Sequence, residues 1–231
     1  MSSIRIDVSH DGPYLVTGLT RIPRRAADLA DDGFPSGWTE LADVPVDAAA
    51  SRVALCRCGG TQRAPFCDGT HKRIGFDGTD VASHESYDAQ ATVREGRDID
   101  MGDAVSLCAH AKFCQRHGDA WHLLHVDSGD GAGRAELVEM IDLCPTGRLT
   151  HRDKGTSEWQ DPDLPEEVFL VQNGPICMTG GVALHREDGA TVDTRNRIAV
   201  CRCGHSANKP YCDGTHLSVG YTDRIEASTN E

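Results

Sequence analysis

The sequence is poor in aromatic residues and in positive charge, and it has no long apolar run. Aromatic side chains make up 5% of the 231 residues and 24 residues are glycine, so we expect small apolar cores and many turns. The formal net charge of -13 argues against nucleic acid as a partner, because binding phosphates requires clustered Lys and Arg. No segment approaches the ~20 apolar residues of a membrane span, so we expect no membrane partner either.

The amino terminus also lacks the features of a secretory signal. The segment MSSIRIDVSH has neither an apolar core nor a small-residue cleavage site. We therefore expect a cytoplasmic, reducing environment for the ten cysteines. In such an environment, clustered thiols act more often as metal ligands or redox groups than as structural disulfides.

The cysteines belong to an internal repeat. Residues 56–71 read CRCGGTQRAPFCDGTH and residues 201–216 read CRCGHSANKPYCDGTH, so three cysteines and one histidine recur 145 positions later. Upstream, DGPYLVTG at 11–18 aligns with NGPICMTG at 173–180, which is 162 positions later. The first copy therefore carries 17 additional residues (162 − 145) within 22–45, and their Pro, Gly and Asp content predicts an added surface loop or hairpin.

Each copy contains short strand patterns and little helix, and one copy looks too small to bury a core alone. Tyr14–Leu19 and Ile198–Val200 are examples of predicted strands. Two similar units in one chain commonly pack about a pseudo-two-fold axis, which would let each unit complete the other's sheet. The predicted fold class is α+β with mostly short strands, in which the two halves form an intramolecular pseudo-two-fold, β-rich unit.

A different pattern lies between the two copies. Ala104–His117 and Arg134–Leu143 have the apolar spacing of helices, and Trp121–Val126 between them is predicted to be a strand. These elements predict a small α+β insert. The expected domains are residues 1–94 for the first half with its N-terminal strands, 95–152 for the insert and 153–231 for the second half.

Three thiolates and one imidazole within sixteen residues indicate a metal site. Zinc accepts a Cys3His set in closed tetrahedral sites. An iron-sulfur cluster also takes four protein ligands, mostly thiolates, with imidazole on one iron in some centres. The Cys-x-Cys pair suits two thiolates on one iron of a 2Fe-2S rhomb, whereas zinc knuckles more often space their first pair by two or more residues. The spacing favours an iron-sulfur cluster, with zinc as the alternative.

The complete motif, Cys-x-Cys-x2-(Ser/Thr)-x3-Pro-x-Cys-Asp-Gly-(Ser/Thr)-His, resembles the signature of the CDGSH iron-sulfur domain, the mitoNEET-type family. Both copies match at every fixed position. The resemblance implies a redox-active 2Fe-2S cluster in each copy, with two cysteines on the inner iron and a cysteine and the histidine on the outer one. The implied ligands are Cys56, Cys58, Cys67 and His71 for the first cluster, and Cys201, Cys203, Cys212 and His216 for the second.

The resemblance also carries an expectation about assembly. Members of the family form a homodimer or a tandem pseudo-dimer within one chain, and this chain resembles the tandem form, so we expect a monomeric pseudo-dimer. It shows no membrane anchor of the kind found in some relatives, and it has a long insert between the copies. Asp68 and Asp213, which precede Gly-Thr-His, either cap a short helix or form an ordinary Asx turn.

The insert contributes CAHAKFC and, about thirty residues further on, CPTG. The Cys-x5-Cys pair with a distant Cys-Pro resembles the single-cluster bacterial ferredoxins and a divergent mono-cluster group. Ala111 stands where a four-iron ferredoxin would place its second cysteine, which favours a 3Fe-4S cluster held by Cys108, Cys114 and Cys144. His110, one position earlier, would instead complete a 4Fe-4S cluster. The alternative is that these cysteines are buried structural residues.

Three clusters in one small chain indicate electron transfer, with the insert relaying electrons to or from the two His-ligated clusters. We therefore expect a redox protein as partner. The sequence has no Ser/His/Asp arrangement, paired-carboxylate motif or flavin loop, so we expect no enzymatic activity. One alternative is that the His-ligated clusters are cargo for an apo-protein acceptor, or are lost on oxidation or acidification as a sensor. Another is a zinc-stapled interaction module.

Overall fold

The computed structural model describes residues 3–47, 49–126 and 128–225. Most of the regular structure in these residues is short strand, which confirms the α+β class with mostly short strands. The strands are β1 (Arg5–Val8), β2 (Tyr14–Thr17), β3 (Arg21–Leu29), β4 (Pro35–Pro45), β5 (Val53–Leu55), β6 (Thr92–Glu95), β7 (Ile99–Asp103), β8 (Leu149–Asp153), β9 (Glu167–Val171), β10 (Ile176–Thr179), β11 (Ala183–His185) and β12 (Arg197–Val200).

The helices are short and lie mostly in the middle of the chain. None of those in the described ranges combines the length and apolar character that crossing a membrane requires. They are α1 (Thr70–Arg73), α2 (Tyr87–Gln90), α3 (Ala120–Val126), α4 (Gly131–Asp142) and α5 (Thr215–Ser218), with two 3-10 segments, Val105–Leu107 and Phe113–Gly118.

Two sheets take strands from both ends of the chain. Their orders are β11-β1-β2-β5 and β12-β10-β9-β3-β4. Neighbouring strands are antiparallel except where the two halves meet. There, β1 pairs in parallel with β11, and β3 pairs in parallel with β9. Fully buried side chains from both ends of the chain, among them Ile6, Val16, Ile176 and Val200, form a common core. Neither half therefore completes its sheet from its own strands.

The additional residues of the first copy form the hairpin β3–β4, as predicted. Its strands pair in antiparallel fashion from Arg21 opposite Pro45 to Leu29 opposite Pro35, with irregularities in the register near both ends. Trp38 in β4 packs its ring against Phe113 of the second 3-10 segment at a centroid distance of 4.8 Å and against Phe169 of β9 at 6.0 Å. The hairpin thus links the first copy to the insert and to the second copy.

The insert consists of a third sheet, β6-β7-β8, with α3 and α4 packed on it around a separate core. The predicted helix over residues 134–143 is confirmed as α4, which begins at Gly131. The predicted strand over 121–126 is wrong, because Ala120, Leu123 and Leu124 lie on one buried face of helix α3.

The helix predicted over Ala104–His117 is also wrong. This segment is a loop with two short 3-10 pieces, interrupted by positive φ angles of 56° at His110, 65° at Lys112 and 50° at His117. A right-handed helix cannot pass through such residues. The helix-like apolar spacing here comes from loop residues whose side chains pack into the protein.

Candidate metal centres

Each repeat forms a loop that folds back onto the strand before it. In the first copy, the N–H of Cys56 donates to the carbonyl of Pro65 at 2.8 Å, and the N–H of Cys67 donates to that of Ala54 at 2.8 Å. The Thr61 hydroxyl closes the loop by donating to a backbone carbonyl at 2.7 Å. These bonds bring the cysteines from both ends of the loop to one end of β5.

The second copy repeats these bonds. The N–H of Cys201 donates to the carbonyl of Pro210 at 2.8 Å, and the N–H of Cys212 donates to that of Ala199 at 3.0 Å. The Ser206 hydroxyl closes this loop by donating to a backbone carbonyl at 2.7 Å. The Ser/Thr position of the motif therefore has a structural role in shaping the loop.

The four predicted ligands of each copy form two pairs. The Sγ atoms of Cys56 and Cys58 lie 3.8 Å apart, and Sγ of Cys67 lies 3.4 Å from Nδ1 of His71. The second copy has the same separations of 3.8 and 3.4 Å. Two sulfur ligands on one tetrahedral metal, with bonds of about 2.3 Å, lie about 3.8 Å apart, and a sulfur–nitrogen pair lies about 3.5 Å apart. Each pair therefore matches one edge of a tetrahedral metal site.

The pairs do not merge into larger groups. Within residues 3–47, 49–126 and 128–225, no three His, Cys, Asp or Glu side chains are arranged to hold one metal ion. A closed zinc site would bring all four ligands around one ion. The arrangement in each copy fits two metals with two protein ligands each, which is the donor set that a 2Fe-2S cluster requires.

The aspartate of the motif forms an Asx turn and does not cap the helix. The residue before α1 is Gly69, in a left-handed conformation with φ of 84°. The Asp68 carboxylate accepts the N–H of Gln62 at 2.9 Å and the N–H of Thr70 at 3.0 Å. These bonds hold the pKa of Asp68 below its usual range, and the bond from Gln62 has the largest effect. Asp213 makes the equivalent bonds in the second copy, so the carboxylate holds the loop together in both.

One thiol of each Cys-x-Cys pair ionises readily. The contact with Cys58 and the backbone N–H groups of Thr61 and Gly59 lower the pKa of Cys56 to about 6, against the opposing effect of burial. The pKa of Cys201 is likewise lowered to about 6, first by its contact with Cys203. Because the thiolate is the form that binds metal, each pair offers a ligand at neutral pH.

Each Cys-x-Cys encloses an arginine that was not among the predicted site residues. Arg57 is 1% exposed and donates to the Asp80 carboxylate at 2.6 Å. Arg202 is 2% exposed and donates to the Gly174 carbonyl at 2.9 Å and to the Asp223 carboxylate at 3.2 Å. Because a buried charge requires a partner, each arginine anchors the ligand loop to the carboxylate that follows it. The repeat could have identified this residue, because arginine lies between the cysteines in both copies.

The side chains predicted to hold a cluster in the insert line one cavity. Cys108 follows the first 3-10 segment, Cys114 lies in the second, and Cys144 follows α4. His110 lines the same cavity, and its backbone is in the left-handed region with φ of 56°. The structure thus brings together all four predicted residues of the insert.

Two arginines, the partly buried Arg148 and the buried Arg197, act on the thiols of this cavity. Arg148 donates to Sγ of Cys108 at 3.2 Å and to the Asp103 carboxylate at 2.7 Å. Burial raises the pKa of Cys114 to about 11. Burial also acts to raise the pKa of Cys144, but Arg197 and hydrogen bonds to the sulfur outweigh it and lower that pKa. The surroundings of this cavity therefore favour the negatively charged thiolate form at some of its cysteines.

The insert lies against the ligand loop of the second copy. Nδ2 of Asn208 donates to the Ser106 carbonyl at 2.7 Å. A Cβ atom added to Gly214 would lie 2.7 Å from Cδ2 of His110, so the ring of His110 packs directly on this loop. Cys177 is fully buried in the apolar cluster between the insert and the second copy.

Among the described residues, nothing covers the ligand loop of the first copy to a comparable extent. A Cβ atom added to Gly69 would meet no atom within 4 Å. Cys67 and His71 are half-buried, whereas Cys212 is 3% exposed and His216 is 9% exposed. The outer ligand pair is therefore accessible in the first copy and enclosed in the second.

The two Cys-x-Cys segments meet at the centre of the molecule. Cys58 and Cys203 form an antiparallel bridge, and a Cβ atom added to Gly59 would lie 2.3 Å from the Cys203 carbonyl oxygen. Only glycine allows this approach. The Tyr14 hydroxyl, from the first half, donates to the Cys201 carbonyl at 2.7 Å. The insert thus contacts the second copy, and the second copy contacts the first.

Comparison with known protein families agrees with the motifs. Residues 11–72 and 173–217 match the family described as iron-binding zinc finger, CDGSH type. Residues 94–154 match the family described as divergent 4Fe-4S mono-cluster. The prediction of two CDGSH segments in tandem with a single-cluster segment inserted between them is confirmed. No curated protein matches the chain.

Proposed function

From this tandem CDGSH iron-sulfur chain with its inserted divergent 4Fe-4S segment, we propose a protein that binds two 2Fe-2S clusters and a third 3Fe-4S or 4Fe-4S cluster and acts in electron transfer. The ligand pairs in the two copies support the 2Fe-2S assignment, because each pair has the separation of one tetrahedral edge. When bound, the clusters would supply one-electron redox chemistry. The chain itself holds the ligands, sets their charge and controls their access to solvent.

The contact between neighbouring sites is the observation that carries the proposal. The loop of the insert between Cys108 and Cys114 packs on the ligand loop of the second copy, and Cys203 pairs with Cys58 of the first. A carrier of single electrons needs sites in close succession, with one of them accessible to a partner. A zinc-stapled module would need neither feature.

We further propose that the two halves are related by a pseudo-two-fold axis. The sequence alignment makes β1 equivalent to β9 and β3 equivalent to β11. The pairing is reciprocal, because β1 pairs with β11 and β9 pairs with β3, both in parallel. The bridge between the equivalent residues Cys58 and Cys203 would lie close to the axis. This arrangement supports a monomeric pseudo-dimer.

Electron paramagnetic resonance tests the proposal most directly. Protein purified without oxygen should be measured as isolated and after dithionite, with spins counted against protein, iron and sulfide. We expect two 2Fe-2S spins on reduction, together with a signal from the third cluster in one of the two states. Protein that contains stoichiometric zinc and gives no cluster signal in either state would contradict the proposal.

The half-buried, accessible outer pair of the first copy supports a second candidate function, transfer of that cluster to an apo-protein. Transfer to an apo-ferredoxin can be followed by circular dichroism in the visible region. We expect His71→Cys to suppress transfer, because thiolate holds iron more firmly than imidazole, while the matched variant His216→Cys leaves it unchanged. Equal transfer by the wild type and by His71→Cys would rule this function out.

A further inference from the structure

The second copy shows what one face of a CDGSH unit can bind. Its Arg197 donates to the carbonyls of Ile141 at 2.6 Å and Cys144 at 3.2 Å in the insert. Asn208 donates to the carbonyl of Ser106, and Leu217 lines a cavity together with residues of the insert. Arg197 and Asn208 therefore mark the face on which a folded segment of the same chain lies, and Leu217, which is 58% exposed, lies at the solvent-accessible edge of that face.

In the part of the chain that the structure describes, no such segment lies on the equivalent positions of the first copy. They lie 145 residues earlier, at Arg52, Arg63 and Lys72, and Arg73 follows. All four are exposed, and we call them the basic face. Arg73 donates to the Thr70 hydroxyl, whereas the side chains of the other three make no ion pair or hydrogen bond with any residue that the structure describes.

The charge of the basic face is opposite to that of the whole chain. The chain has a formal net charge of -13, yet four exposed cations lie on either side of the half-buried ligands Cys67 and His71 in the sequence. The one carboxylate within the ligand loop, Asp68, already accepts two backbone N–H groups. In the second copy the equivalent loop residues, Leu217 and Ser218, are uncharged.

We propose that the basic face is the docking surface for a separate acidic electron-carrier protein, an inference that rests on the proposed electron-transfer function. The occupant is a protein, because a folded segment covers the equivalent face of the second copy. It is acidic, because unpaired cations attract a partner of opposite charge and orient it during encounter.

Binding of a flavodoxin, an acidic protein that exchanges single electrons, tests the proposal. Its affinity for the cluster-loaded full chain is measured by titration calorimetry at low and at high salt. Lys72→Gln combined with Arg73→Gln should weaken binding about tenfold at low salt, and much less at high salt. The control, Arg94→Gln combined with Arg97→Gln, makes the same charge change at exposed positions of the insert and should alter binding less than about twofold.

Three results would overturn the proposal. The first is an equal effect of the two double variants, and the second is no binding of flavodoxin at low salt. The third is a dimer of the chain, seen by ultracentrifugation and lost in the Lys72→Gln and Arg73→Gln variant, which would make a second copy the occupant. Cluster content is counted by paramagnetic resonance in the same samples, so a loss of the proposed function is distinguished from a loss of the docking site.

Discussion

The two CDGSH copies place their ligands in the same way and differ in what surrounds them. Both show separations of 3.8 and 3.4 Å within their ligand pairs, the same loop-closing hydroxyl and the same Asx turn. The insert encloses Cys212 and His216, whereas Cys67 and His71 remain half-buried. The comparison shows that sixteen residues determine how ligands are held, while distant residues determine which ligands solvent or a partner can reach.

Replacing the equivalent arginines Arg197 and Arg52 should give the largest difference in stability between the two copies. Arg197 donates to backbone carbonyls of the insert and to the Asp161 carboxylate at 2.5 Å, whereas Arg52 is exposed. Arg197→Met should lower the free energy of unfolding by about 3–4 kcal/mol, because it leaves buried acceptors without donors. Arg52→Met should change it by less than about 0.5 kcal/mol. Urea denaturation of both variants checks the difference, and equal effects would contradict the structure.

Replacing the glycine two residues before each ligand histidine should give the next largest difference in stability. Gly69 and Gly214 both have φ of 84°, so alanine at either position costs about 1–2 kcal/mol of backbone strain. In Gly214→Ala the new Cβ would also press on the ring of His110, which adds about 1–2 kcal/mol. Thermal unfolding of both variants measures the costs. Adding His110→Ala should remove the excess in Gly214→Ala and leave the cost in Gly69→Ala unchanged.

Trp38 should affect the insert loop that covers the second copy and leave the ligand loop of the first copy unaffected. Trp38→Ala removes the contacts with Phe113 and Phe169 and should cost about 1–3 kcal/mol. Hydrogen exchange should become faster in residues 105–118 and stay unchanged in residues 62–73. Trp159→Ala, which alters a tryptophan packed on Tyr87, is the control and should leave exchange in residues 105–118 unchanged. Faster exchange in residues 62–73 of Trp38→Ala would show that the hairpin supports both loops.

Acid should release the cluster at the accessible site of the first copy before the one at the enclosed site of the second. Burial has the largest effect on the pKa of His216 and lowers it below the ordinary 6.5. The charge of Arg202 adds to this shift, and Asp213 opposes it. The neutral imidazole, which is the form that binds metal, therefore persists at His216 as the pH falls below 6.5. The stability that this neutral histidine contributes is lost as the pH falls from 6.5 through the lowered pKa.

Visible absorbance during acidification measures the order of loss. We expect two phases in the wild type, with the earlier phase absent in His71→Cys and retained in His216→Cys. A single phase in the wild type, or an earlier phase that depends on His216, would contradict the assignment.

The sequence was sufficient for the parts of the fold whose interactions are local. The ligand loops, the strands leading into them and the added hairpin all depend on nearby residues, and their motif or spacing identified them. The loop between residues 104 and 117 was not predictable, because its apolar residues have helical spacing while left-handed residues such as His110 and Lys112 break the helix. Those conformations depend on contacts with Gly214 and Trp38, which are far away in the sequence.

The difference between the two copies was equally hidden. The sequence shows SRVALC before one ligand loop and NRIAVC before the other, with arginine at the same place. Nothing local distinguishes Arg52 from Arg197, yet one is exposed and the other is 2% exposed beneath the insert. Burial of this kind depends on which copy the insert contacts, and that choice is made by tertiary packing.

The exchange of strands between the halves has a consequence for biosynthesis. The sheet that supports the first ligand loop ends in β11, at residues 183–185, and β3 pairs with β9 of the second half. A ribosome must therefore synthesise most of the chain before the platform beneath the first four ligands is complete. Iron delivered during translation would meet an unfinished site, so cofactor insertion should follow release of the whole polypeptide.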